Sequence, residues 1–155
     1  MSSTECHDEG RAHHEMEISR FDMGERFSEM TVVDLGHGKL IYIAGQVAED
    51  TGLDITGQTR QVLNFIDRLL ARAGADKRHI VQARVYLASV GDYVAMNSVW
   101  DDWVPQGHTP ARSTIGARLI SSEYRVEIEC VAAVHHRVHD HAEGPLKPLR
   151  GYLPA

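Results

Sequence analysis

Long apolar runs are missing from this 155-residue chain, and nothing in it has the length needed to span a bilayer as a helix. The first residues, MSSTECHDEGRAHHEMEIS, also lack the apolar core of a secretory signal. Cysteine is scarce: Cys6 and Cys130 are too few for a disulfide framework, which makes a reducing, cytoplasmic setting the default expectation. A basic excess is absent as well. Sixteen Lys and Arg stand against 22 Asp and Glu, and a net charge of −6 does not suit a nucleic-acid surface. Catalytic signatures are equally thin, with no nucleophile elbow, Gly-rich phosphate loop, HExxH helix or paired-cysteine metal motif. Ser113 has no legible His–Asp arrangement beside it, so the chain does not read as a serine hydrolase.

What remains is the composition of an ordinary globular protein, 43% hydrophobic and 25% charged, long enough for one domain with a real core. Residues 1–20 are polar and His-bearing with little periodicity, and read as a solvated extension. His13-His14 alone do not make a metal site. MTVVDL and KLIYIAG, separated by Gly36-His37-Gly38, read as a hairpin with His37 in the turn. From Thr56 to Ala73, Val62, Phe65, Ile66, Leu69 and Leu70 recur at helical spacing, and Gly74 follows as a C-terminal stop. The stretch Ile80–Ala88 alternates as a strand, with Val81, Ala83, Val85 and Leu87 on one side. A second helix over 92–104 follows, with Asp92 as candidate N-cap. Trp100 and Trp103 on that helix read as packing against a sheet.

The stretch PARSTIGARLISSEYRVEIECVAAV, 110–134, reads as two β segments joined by a polar turn. In the second, Val126, Ile128 and Cys130 point one way and Glu127, Glu129 and Val131 the other. Arg112 in the first segment has a plain structural explanation, a salt bridge to Glu127 or Glu129 on a neighbouring strand. Beyond Val134 the text HHRVHDHAEGPLKPLRGYLPA loses periodicity. His135, His139 and His141 would share a strand face with Asp140 nearby, but the segment reads as a tail and not as a metal centre.

The order is thus β-β-α-β-α-β-β, an α+β mixed sheet with both helices on one face. The other face is left for a second copy to bury. The pieces IYIAGQVAED, QTRQVLNFIDRLLARAG, HIVQARVYLASVGDYVAMNSVWDDWV and PARSTIGARLISSEYRVEIECVAAV occur in an order and spacing that resemble the Rid family. These are the reactive-intermediate deaminases, also called YjgF/YER057c/UK114, and the chain is most similar to their YoaB-like branch. The resemblance spans about residues 23–134, leaving 1–22 as an N-terminal extension and 135–155 as a His- and Pro-rich tail.

The resemblance implies a chorismate-mutase-like fold, a homotrimer and ligand pockets between subunits. It implies no metal or organic cofactor and a small carboxylate as substrate; the net charge speaks against a nucleic-acid partner and a literal ribonuclease, and the lack of long apolar runs against a membrane partner. On it, Arg112 holds a substrate carboxylate with its planar fork. Glu127 holds or polarises the water that attacks an imine carbon, turning a 2-imino acid into a 2-keto acid and ammonia. Three positions depart from the family pattern: Phe27 and Ala44 stand where a tyrosine and a serine are expected, and Thr114 replaces a cysteine. Phe27, Ala44 and Thr114 join Arg112 as expected substrate contacts. The departures keep two alternatives open, a carboxylate-binding trimer without turnover and a deaminase for a pathway-specific enamine.

Overall fold

The computed structural model describes residues 15–136, and the fold they make is a mixed sheet with two helices on one side. The strands are β1 (Glu17–Met23), β2 (Ser28–Asp34), β3 (Gly38–Gln46), β4 (Ile80–Leu87), β5 (Ala111–Gly116) and β6 (Val126–His135). The helices are α1 (Ile55–Arg72) and α2 (Tyr93–Trp103). The sheet order is β1-β2-β3-β6-β4-β5; β5 runs parallel to β4 through the α2 crossover, and every other pair is antiparallel.

Strand β1 begins inside the stretch that the sequence assigned to a solvated extension, taking residues 17–22 from it, and this is a correction. EISRFDM carries one inward aromatic among polar neighbours, so its period-2 signal is weak. Pairing settles it: Phe21 stands opposite Met30 of β2 and packs against the core. Arg72 of α1 pins this strand by an ion pair to Asp22, at φ 50°, and by stacking over the Phe21 ring. At the other end β6 reaches His135, opposite Gly38, so the sheet also takes the first residue assigned to the tail. His139, His141, Cys6 and the His13-His14 pair lie outside the described residues.

The hairpin between β2 and β3 forms as its glycines require. Gly36 has φ 81°, and its N–H donates to Asp34 Oδ1 at 2.8 Å. Helix α1 starts at Asp54, whose carboxylate accepts from Gly57 N at 2.8 Å, and it ends before Gly74 at φ 71°. Its stripe of Val62, Leu63, Ile66, Leu69 and Leu70 is buried against the sheet. Each such side chain contributes roughly 1.5–3 kcal/mol by leaving water. The alternation puts Val81 on one side with Ala83, Val85 and Leu87, but it is half exposed, because a bulge between Ile80 and Gln82 turns it outward and puts Ile80 inside. Asp92 precedes α2 but makes no capping bond; its carboxylate instead takes both ends of the Arg125 guanidinium, at 2.7 and 3.1 Å.

The layering is one-sided. Met30, Ile41, Val85, Ile128 and Cys130 face the helices. Tyr42 and Ile115, 45% and 46% exposed, lie on the other face with Arg84, Glu127 and Glu129 between them. No helix among the described residues is long and apolar enough to cross a membrane.

Candidate functional site

The geometry starts with register. Arg112 stands beside Ala83, which stands beside Cys130, and both are buried under the helices. Glu127 stands beside Tyr86, three strand positions along and so on the opposite parity. Side chains alternate along a strand, so Arg112 and Thr114 belong to the helix side of the sheet and Glu127 and Glu129 to its open side. Strand β4 also separates β5 from β6. The expected salt bridge between Arg112 and either glutamate therefore does not form, and that simple explanation of Arg112 is excluded within one chain.

Arg112 instead lies along α2 at the sheet edge. Its Nη2 donates to Asn97 Oδ1 at 2.8 Å, and its guanidinium sits 4.9 Å from the Trp100 ring centroid. Asn97 and Trp100 are one helical turn apart, which brings both under the same side chain. Trp100 thus packs in the core as the sequence suggested and also supports the arginine. Arg112 makes no ion pair among the described residues, and its Nη1 is buried without a hydrogen-bond partner. Thr114 Oγ1, on the same side of β5, is a second buried atom without a partner.

The open side holds the carboxylates, and they differ. Glu129 accepts from Arg84 Nη1 at 2.7 Å and from Tyr86 Oη at 3.3 Å. Glu127 has no ion pair or side-chain hydrogen bond among the described residues. Partial burial, and then the charge of Glu129, raise its pKa above the ordinary glutamate value. Its carboxylate rests against Gly45 in the irregular end of β3, where a Cβ would collide with it. A glycine at 45 is what lets the acid lie flat on that strand.

Two cavities flank this point. A 460 Å³ groove on the open face is lined by Ala44, Tyr42, Arg84 and Glu129. A 570 Å³ cavity beyond the end of β3 is lined by Phe27, Gly45, Gln46, Phe65 and Arg68. Phe27 is 62% exposed, and Gln46 bonds Glu29 at 2.9 Å across the cavity wall. The expected residues therefore fall into two groups, Arg112 with Thr114 at the β5 edge and Glu127 with Ala44 and Phe27 around the end of β3.

Supports that the sequence reading missed lie beneath both. Gln58, inside the α1 stripe and fully buried, accepts from Arg125 N at 2.9 Å and donates to the Glu123 carbonyl at 3.1 Å. It thereby fixes the turn that delivers β6 and Glu127. A glutamine in an apolar stripe is its only sequence mark. Gly45 was legible in the IAGQ string, whereas Asn97 was recognisable only as the residue one turn before Trp100.

The Endoribonuclease L-PSP family model matches residues 17–134 of the chain. A RutC family protein of Haemophilus ducreyi is 42% identical over 120 residues, covering 77% of this chain and 99% of that protein. The RutC family protein YoaB of Escherichia coli is 40% identical over 119 residues, covering 77% and 100%. Among solved structures, a YjgF family member from Neisseria meningitidis is 44% identical with a TM-score of 0.71, over 81% of this chain and all of that one.

Proposed function

The chain belongs to the Endoribonuclease L-PSP family, the YjgF or Rid proteins, and on that premise we propose that it hydrolyses 2-imino acids or a related enamine to 2-keto acids and ammonia. One observation carries the reading. Arg112 is a partly buried guanidinium whose sole polar partner among the described residues is the Asn97 amide, so its charge has no carboxylate to meet it. A held, planar, uncompensated cation at a strand edge fits the carboxylate of a small acid.

The second requirement is a carboxylate free to hold water, and Glu127 supplies it. Its raised pKa makes it a better proton acceptor than an ordinary surface glutamate. Water oxygen bonds to the imine carbon while the C=N π pair moves to nitrogen. Glu127 takes a water proton and returns it to that nitrogen. Glu127 next takes the proton of the new hydroxyl and passes it to the amino nitrogen; the C–N bond breaks with its electron pair, ammonia leaves, and the O–H pair left on oxygen forms the ketone C=O. Positioning supplies most of the acceleration, since the imine is already electrophilic.

Because the two residues lie on opposite faces of one sheet, the working cleft joins Arg112 of one copy to Glu127 of another. A homotrimer, as the family resemblance implies, is the assembly we propose; it also covers Tyr42 and Ile115 on the open face. Phe27 and Thr114 complete the walls. Ala44 offers no hydroxyl to the groove, and this favours the second reading, a carboxylate-binding trimer without turnover.

The test generates imino acids in situ with an amino-acid oxidase and follows loss of the trapped semicarbazone. The wild-type protein speeds that loss, and Arg112→Ala reduces the effect about 100-fold. No acceleration with small, aliphatic and aromatic imines discards the deaminase and leaves the binding protein.

A further inference from the structure

The unequal treatment of the two glutamates on β6 reaches past the assignment of Glu127. On the open face Arg84 stands directly opposite Glu129, and Tyr86 directly opposite Glu127. Arg84 is the diagonal neighbour of Glu127, at a spacing of roughly 7–8 Å between Cα atoms that a long side chain spans. Its guanidinium is nevertheless committed to Glu129, and the Tyr86 hydroxyl turns to Glu129 as well. Two donors therefore converge on one carboxylate and leave the adjacent one bare.

The remaining surroundings of Glu127 keep it bare. Arg125, two residues earlier on the same strand parity, is drawn to Asp92 at the start of α2. Across the sheet, β3 offers Gly45, which has no side chain, and beyond it Gln46 is spent on Glu29 and on the Ala44 carbonyl. Among the described residues, Arg84 and Arg125, the two arginines placed beside Glu127 by strand register and sequence, each have another carboxylate as partner.

We propose that Glu129 is a positioning residue for Glu127: anchored by Arg84 and Tyr86, its fixed negative charge makes the Glu127 carboxylate a stronger acceptor for the proton of the water it holds. The proposal rests on the imine-hydrolysis reading for its chemical consequence, but its electrostatic core is independent of turnover. Glu129 touches no reacting atom. It acts through charge, two residues along the strand, and through removal of Arg84 from the reach of Glu127. An Arg84 free to swing to Glu127 would neutralise it and weaken it as a base.

The experiment titrates the full chain, labelled with carboxyl-¹³C glutamate, by NMR, with the Glu127 resonance assigned from its loss in Glu127→Gln. Glu129→Gln shifts the Glu127 midpoint to lower pH, Glu129→Asp keeps it near wild type, and Arg84→Met shifts it upward. Opposite shifts from two partners of one pair do not arise from loosened folding. In parallel, the acid limb of kcat for imine hydrolysis moves with the midpoint, while KM stays within about twofold because the carboxylate clamp is elsewhere. A Glu127 midpoint that stays fixed in both Glu129→Gln and Arg84→Met overturns the proposal. If the wild-type protein hydrolyses no imine, the functional reading falls, and the titration still decides the coupling.

Discussion

The two faces of the sheet are built from different materials. On the helix side, successive strands contribute Met30, Ile41, Ile128, Val85 and Ala83, all buried and apolar, and only at the far edge does Arg112 interrupt them. On the open side the same strands contribute Thr31, Tyr42, Glu129, Arg84 and Ser113. Alternation makes each strand serve both faces at once, so a residue's parity decides whether it is chosen for packing or for polar contact. Arg112 is the informative exception. It is a charge on the packing side, tolerated because it lies at the edge and has Asn97 and Trp100 beneath it. Glu127 is its counterpart, the one carboxylate on the polar face of β6 without a partner among the described residues.

The sharpest way to break this contrast is to ask whether the two faces meet between copies. Arg112→Ala and Glu127→Gln each lower imine hydrolysis about 100-fold or more by themselves. Equal amounts of the two, unfolded and refolded together, recover about one quarter of the wild-type rate. That is the share of clefts drawing an intact Arg112 from one copy and an intact Glu127 from the next. No recovery on mixing would show that the two residues do not work across copies.

Stability separates the faces next. Leu70 of α1 is fully buried, and Leu70→Ala lowers unfolding free energy by about 3 kcal/mol in urea titrations. Tyr42→Arg on the open face leaves the fold of the isolated chain within about 0.5 kcal/mol and lowers the assembled mass seen by light scattering. Cys130 refines the comparison by pH. Burial pushes its thiol up to about 12 from 9.0, with the Glu129 charge adding to it. A raised folded-state value contributes stability that is whole below the unfolded pKa and disappears as pH climbs toward the folded one. Between pH 8 and 10.5 wild type thus loses about 2 kcal/mol more than Cys130→Ala, measured as the difference between their urea midpoints.

Much of this architecture is legible in the sequence. The α1 stripe, the Gly36–Gly38 hairpin and the alternation of β6 are strong local signals, and each element formed within a residue or two of its expected place. The misses share a physical cause. Strand β1 depends on one aromatic and on Arg72 from a distant helix. The Val81 bulge is a property of the pairing with β6 and not of the IVQARVYL string itself. The candidate site was legible as residue types but not as an arrangement. Sequence placed Arg112 and Glu127 in the same motif, and only the strand order, with β4 between β5 and β6, reveals that they face away from each other.

The smallest expected effect concerns the layer that covers the packing side, whose two helices begin in different ways. Asp54 accepts from Gly57 N and satisfies an end of α1, a role that asparagine fills nearly as well. Asp54→Asn therefore costs only a few tenths of a kcal/mol, and Asp54→Ala about 1 kcal/mol. Asp92 stands at the same position before α2 and makes no such bond, because its two oxygens hold Arg125. Asp92→Asn keeps a capping side chain but removes the charge from that fork. If Asp92 mattered for α2 alone, the two asparagine variants would behave alike. The structure predicts that they differ: Asp92→Asn frees Arg125, two residues from Glu127 on the same strand parity. It therefore lowers the pH at which Glu127 titrates while leaving helix content by circular dichroism unchanged. An unaltered Glu127 titration in Asp92→Asn would assign the Asp92–Arg125 pair to holding the 117–125 loop and nothing more.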